Sequence, residues 1–219
     1  MMWFYISLGI TLAISIAELV CCFFKFELVR KILKPFCLLG IIISCIFINK
    51  NVNLLIYFAL GFGLIGDILL IFEDKKICFL LGIIAFFINH IFFIALMMSL
   101  FTYQLPLGLL IPLGILVLAS PLLTLPIFKK QLSIFQVPGP IYGFTLLVEL
   151  ILSIMLLFDH RFQVWNITLI VGVILFITSD SILSYTHFFK KIDRREFPIM
   201  LTYLAAQMLI AFSLCFIIG

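Results

Sequence analysis

Apolar residues so dominate this chain that the informative positions are the interruptions. Runs of roughly 20 apolar residues, the length that crosses a hydrocarbon core, recur at about 2–24, 35–49, 53–72, 77–100, 106–128, 140–158, 164–189 and 197–218. Eight such runs predict an all-α fold: a polytopic membrane bundle of eight transmembrane helices, with one transmembrane domain over 1–219. Pro106, Pro140 and Pro198 fall near predicted helix starts, where proline is tolerated. Pro112 and Pro121 interrupt the fifth span and predict a kink there. The linkers are short, so chemistry belongs inside the bundle or at its rim.

Composition agrees with that reading. The 219 residues are 65% hydrophobic and 11% charged, with a mean hydropathy of +1.37, whereas a soluble domain needs about a quarter of its residues charged. The N-terminal run lacks a basic n-region and reads as a retained first span. The six cysteines form no CxxC pair and lie mostly in apolar runs, as buried thiols do.

Charge orients the spans. Lys25, Arg30, Lys31 and Lys34 follow the first span, Lys75 and Lys76 the third, Lys129 and Lys130 the fifth, and Lys190, Lys191, Arg194 and Arg195 the seventh. The alternate linkers hold only Lys50 and Arg161. The positive-inside rule then puts the basic linkers in the cytoplasm and both termini on the non-cytoplasmic side. The net charge of +4 sits in these short clusters and gives no reason to expect nucleic acid. The cluster 190–197, "KKIDRREF", suits an anionic inner leaflet.

A carboxylate inside an apolar span costs roughly 2.5–3.5 kcal/mol on insertion scales and faces the bundle interior. Asp67 in "GFGLIGDILLIF" lies about five residues from the inner end of the third span, roughly 8 Å deep at 1.5 Å per residue. Asp180 in "LFITSDSILSYTHFF" lies in the inner half of the seventh. Glu18 lies near the inner end of the first span, and His90 and Glu149 near mid-membrane; Glu18 and Glu149 read as interhelical hydrogen-bond groups. Tyr203 and Gln207 occupy the inner half of the eighth span. Both aspartates follow a small residue, and Asp67–His90 and Asp180–Tyr203 share a spacing of 23 residues. A 4+4 internal repeat is the expectation, with spans three and seven equivalent. Gly61, Gly63 and Gly66 leave room beside Asp67 for a neighbouring helix or a lipid.

Several short pieces in order carry a resemblance: "KP" at Lys34–Pro35, "GD" at Gly66–Asp67, Gly82, Phe86 and His90 at four-residue spacing, "PIYG" at Pro140–Gly143, "LFITSDSIL" around Asp180, and "YLAAQMLIA" with Tyr203 and Gln207. In these the chain resembles the YhhN-like lysoplasmalogenase family of membrane proteins, from about Lys34 to Ala211. The resemblance implies hydrolysis of the vinyl ether bond of a lysoplasmalogen, a single-chain lysophospholipid, to a fatty aldehyde and glycerophosphoethanolamine or glycerophosphocholine. An integral protein of a bacterial inner membrane is the expectation, and the depths of the buried polar residues point to an active site opening toward the cytoplasmic leaflet. It does not extend clearly to the region around Glu149.

Vinyl ether hydrolysis needs a proton donor to the double bond, a negative group beside the resulting oxocarbenium ion, and a positioned water. Two carboxyls in different surroundings can divide these tasks, as in glycoside hydrolysis. Asp67 and Asp180 are the expected catalytic pair. His90, Tyr203 and Gln207 are expected to orient them or hold water, Tyr142 of "PIYG" to support the site, and Lys34 to meet the lipid phosphate. No cofactor and no metal are expected: His90, His160 and His187 show no ligand spacing such as HExxH. The expected partners are the lysophospholipid substrate and membrane lipids. Buried acids and a mid-membrane histidine also suit a proton-coupled membrane transporter, the alternative enzyme-free reading; a scaffold subunit without chemistry is a third.

Overall fold

In hydrocarbon every backbone N–H and C=O must be satisfied within the protein, and the described residues meet that demand with helices alone. A computed structural model describes residues 2–48, 53–102, 111–112, 115–119, 122, 134–159, 163–189 and 192–218. Seven long helices stand out among them: α1 (Met2–Phe24), α2 (Glu27–Ile48), α3 (Leu54–Leu70), α4 (Lys76–Leu100), α5 (Pro138–Asp159), α6 (Val164–Phe188) and α7 (Glu196–Ile218). Six are long and apolar enough to cross a membrane, and the shorter apolar α3 has 17 residues. The protein is an integral membrane protein. The expected fifth span, 106–128, lies mostly outside the described residues.

α1 is amphipathic in an inverted sense, with polar groups turned inward and apolar ones outward. α1 buries Ser7, Thr11, Ser15 and Glu18, spaced three or four residues apart, and turns Trp3, Tyr5, Ile6, Ile10 and Ile16 outward. Two of the inward hydroxyls bond back to their own helix, Ser7 Oγ to the Phe4 carbonyl at 2.9 Å and Thr11 Oγ1 to the Ser7 carbonyl at 2.8 Å, which satisfies them without a partner from another helix.

The second span corrects the expectation. α2 begins at Glu27, eight residues before the predicted start, and Pro35 lies inside it. Arg30, Lys31 and Lys34 therefore belong to the helix, and of the four basic residues assigned to the first linker only Lys25 is in it. Their charges depress the local hydropathy without breaking the helix, because Arg30 and Lys34 turn toward carboxylates rather than lipid. The turn before α2 is closed by Lys25 in the left-handed region (φ 62°), which lets the Phe26 N–H reach the Cys21 carbonyl at 2.9 Å, the six-to-one closure of a Schellman motif. α3 also differs slightly: it ends at Leu70, so Asp67 lies within one turn of its end.

α1 packs on α2, α3 on α4, and the contacts run on through α5 and α6 to α7. α7 closes the bundle by touching α1, α2, α3 and α6. At one end Phe4 of α1 meets Phe212 and Phe216 of α7, and Trp3 stacks on Phe47. At the other, the basic rim, Lys25 pairs with Asp193 and Phe79 stacks on His187. Thr102 and Asp159 are hydrogen-bonded at the first end while Phe135 packs on Phe79 at the basic rim. Thr102 and Phe135 thus lie at opposite ends of the bundle.

Close approach of α6 to α7 depends on Gly172. A Cβ there would lie 2.9 Å from Ile210 Cγ1 and 3.0 Å from the Ile210 backbone nitrogen, whereas one at Gly9 would meet nothing within 4 Å. Backbone cannot yield as a side chain can, so Gly172→Val should cost on the order of 1–3 kcal/mol. Thermal unfolding in detergent should show a clear loss for Gly172→Val and little change for Gly9→Val.

Candidate active site

Asp67 is 1% exposed, and it is approached from two directions. The Tyr203 hydroxyl on α7 donates to its Oδ2 at 2.8 Å, and the Lys34 ammonium on α2 lies 3.5 Å from its Oδ1. Gly66 makes this possible from behind: a Cβ there would lie 2.7 Å from the Phe86 ring of α4, so only glycine lets α4 press against the turn that carries Asp67. Phe86 in turn packs edge-on against Tyr203 at 5.9 Å. Gly63 has a similar role against Asn89 and Leu38, while Gly61 faces open space and contributes nothing to the approach.

Asp180 on α6 accepts a short hydrogen bond from the Tyr142 hydroxyl on α5. Its neighbour Ser179 donates to the Ile199 carbonyl of α7 at 3.1 Å, which fixes this face of α6 against α7. Among the described residues no cation contacts Asp180, although Lys34, His90 and Asp67 are all within electrostatic reach. Asp67 and Asp180 line one cavity of about 30 Å³ together with Lys34, Tyr203 and the apolar side chains of Phe86 and Met200. That volume is enough for a water molecule and must widen for anything larger.

His90 and Glu149 form a second, deeper layer. Both are fully buried, and His90 Nδ1 bonds Glu149 Oε2. The ring stands edge-on to Phe176 at 4.4 Å and tilted beside Tyr142 at 5.9 Å. His90 therefore touches the environment of Asp180 through Tyr142 and Phe176 rather than bonding either aspartate. Gln207, one turn from Tyr203, is fully buried, and neither amide atom has a hydrogen-bond partner among the described residues.

At the basic rim a lattice of ions spans three segments. Arg30 of α2 reaches Glu196 at 2.8 Å, Arg195 reaches Glu196 at 3.0 Å, and Arg195 also bonds Glu73 between α3 and α4. Burial pushes the Glu73 carboxyl above its ordinary range, against the opposing pull of Arg195. Arg30, Glu73 and Glu196 also line the aspartate cavity, so the lattice forms its rim-side wall. Sequence reasoning placed Asp67, Lys34, Tyr203, Asp180 and Tyr142 in this region, but missed the Glu149 partner of His90 and the Glu73–Arg195–Glu196–Arg30 chain. Glu149 carried a signal, a carboxylate in an apolar span; the lattice residues looked like ordinary linker charges.

The His90–Glu149 pair should behave as a unit. Removing one partner of a fully buried pair strands the other at about 3–5 kcal/mol, whereas the double variant strands nothing. Thermal unfolding of His90→Leu, Glu149→Leu and the double variant should give a coupling of about 1–3 kcal/mol. Additive losses would mean that the two side chains do not support each other.

No curated protein and no solved structure matches the chain. Residues 27–214 do match a known protein family, over nearly all of the bundle just described and from the first residue of α2. The protein belongs to the YhhN family.

Proposed function

We propose that the protein hydrolyses the vinyl ether bond of lysoplasmalogens, releasing a fatty aldehyde and glycerophosphoethanolamine or glycerophosphocholine. The observation that carries this reading is the cavity itself: two carboxyls from different helices, each hydrogen-bonded by a different tyrosine, in unequal electrostatic surroundings. Membership of the YhhN family supports the same reading.

We divide the roles according to that inequality. Asp67 has the Lys34 ammonium beside it and is the ionised member. Asp180 has only a neutral phenol in contact and carries the proton. Asp180 transfers that proton to the carbon of the double bond remote from the ether oxygen. The π electrons form the new C–H bond, and positive charge spreads over the other carbon and the oxygen. The Asp67 carboxylate stabilises this oxocarbenium ion. Water adds to the cationic carbon and gives a proton to Asp180, which restores the acid. The hemiacetal then breaks its carbon–oxygen bond as its hydroxyl proton passes to the glycerol oxygen, leaving aldehyde and alcohol. Tyr203 and Tyr142 fix the carboxylate rotamers, and Gln207 offers an amide to the incoming water.

The basic rim faces the cytoplasm in this reading, by the positive-inside rule, and both termini lie outside. The supports of the two aspartates also fit a 4+4 repeat: Asp67 is met from α2 and α7, and Asp180 from α5 with the α4 histidine nearby, which is the exchange that duplicated halves would produce.

General acid catalysis contributes about 10²–10⁴-fold. Asp180→Asn should therefore cut aldehyde release from a lysoplasmalogen by at least ~100-fold while the purified protein stays folded, and Asp67→Asn should do likewise. Near wild-type release from either folded variant would sink the assignment.

A further inference from the structure

Beyond the ion lattice, toward the surface, lies a polar basin of about 490 Å³ bounded by the ends of α1, α2, α3, α6 and α7. Five Lys or Arg and five Asp or Glu side chains line it. It shares Arg30, Glu73 and Glu196 with the aspartate cavity, so the lattice is the wall between the two spaces. The four lattice side chains are only 16–26% exposed. Two are positive and two negative, each held by a neighbour of opposite sign.

Such a wall has an unusual tolerance. A guest with one phosphate and one ammonium can replace the internal pairs in kind. Its phosphate accepts hydrogen bonds from Arg30 and Arg195, a geometry that guanidinium favours. Its ammonium takes the carboxylates of Glu73 and Glu196. Every half-buried charge then keeps a partner. A guest whose headgroup carries negative charge alone takes the arginines and leaves two carboxylates unpaired beside its own phosphate, the repulsive arrangement that produces discrimination.

We propose that the Arg30–Glu196–Arg195–Glu73 lattice is a receptor for zwitterionic phospho-amine headgroups, and that Glu73 and Glu196 select against lipids with purely anionic headgroups. The ligand class rests on the lipid-hydrolase reading above; the charge logic rests on the lattice. Placed at the wall, the phosphate lies just outside the aspartate cavity, and the chain attached to it points inward past Asp67. The sign of the selection is distinctive. The chain's net charge of +4 and its basic rim would by themselves favour anionic lipids, the opposite of what the lattice demands.

Binding tests this separately from turnover. Purified full-length protein in neutral detergent is titrated with two ester-linked lysolipids of equal chain length, lysophosphatidylethanolamine and lysophosphatidylglycerol, neither of which has a vinyl ether to cleave. Native mass spectrometry or calorimetry should show at least tenfold tighter binding of the ethanolamine lipid. Glu73→Gln, and Glu73→Gln with Glu196→Gln, should erase or reverse that preference, mainly by strengthening binding of the glycerol lipid. The single variant changes a residue between helices and guards against misfolding of the double. Equal affinities in the unmodified protein, a preference for the anionic lipid, or a preference unchanged in Glu73→Gln would overturn the proposal. A zwitterion preference without aldehyde release from lysoplasmalogens would overturn the hydrolase reading and leave the headgroup site standing.

Discussion

The contact on which the site depends is the double approach to Asp67. A carboxylate in this setting must be met from other helices, and here it is met by Lys34 of α2 and Tyr203 of α7. Those two bonds bring α2, α3 and α7 to one point. Phe86 packs edge-on against Tyr203 and fills the space that Gly66 leaves, which adds α4. The helix that reaches Asp67 also anchors α6 through Ser179 and the Ile199 carbonyl, and so sets where Asp180 faces. The arrangement of the pocket follows from solving one electrostatic problem.

The two layers of polar contacts have different characters. The rim lattice is drawn from two turns and two helix starts, and its side chains keep some contact with the surface. The His90–Glu149 pair is fully enclosed among Phe176, Phe93 and Tyr142, where rearrangement would leave a polar group unpaired in an apolar space. Between them lie the aspartates, with a tyrosine apiece.

Much of this was legible in the sequence because a charge in an apolar run is conspicuous. Asp67 and Asp180 announced themselves, and the alternation of basic linkers placed them in the same half of the bundle. The start of α2 was not legible. Arg30, Lys31 and Lys34 lower the hydropathy of its first turns, and Pro35 looks like a helix start, while the partners that make those charges tolerable lie far along the chain at Asp67 and Glu196. Pairing across such distances is a tertiary fact. For the same reason His90 was expected beside the aspartates and is found bonded to Glu149, 59 residues away. Tyr142 and Tyr203 carry no anomaly of their own, since tyrosine is ordinary in a membrane span; the family motif alone drew attention to Tyr142, while Tyr203 was also marked by its depth and its 23-residue spacing from Asp180.

The placement of Tyr203 has a consequence for how the chain is made. Asp67 enters the membrane with α3, when Lys34 has already been synthesised but the hydroxyl that completes its coordination lies more than a hundred residues downstream. In the finished fold the Tyr203 hydroxyl is the hydrogen-bond donor to this carboxylate and Lys34 its neighbouring cation at 3.5 Å, so until α7 arrives that hydrogen bond is missing. A nascent bundle lacking α7 therefore carries a defect at its centre that arrival of that helix repairs. The same contact that shapes the pocket reports that the chain has been assembled past Tyr203, and a protein truncated before it would present the cell's membrane proteases with an under-paired acid and a bundle left open along α1, α2, α3 and α6.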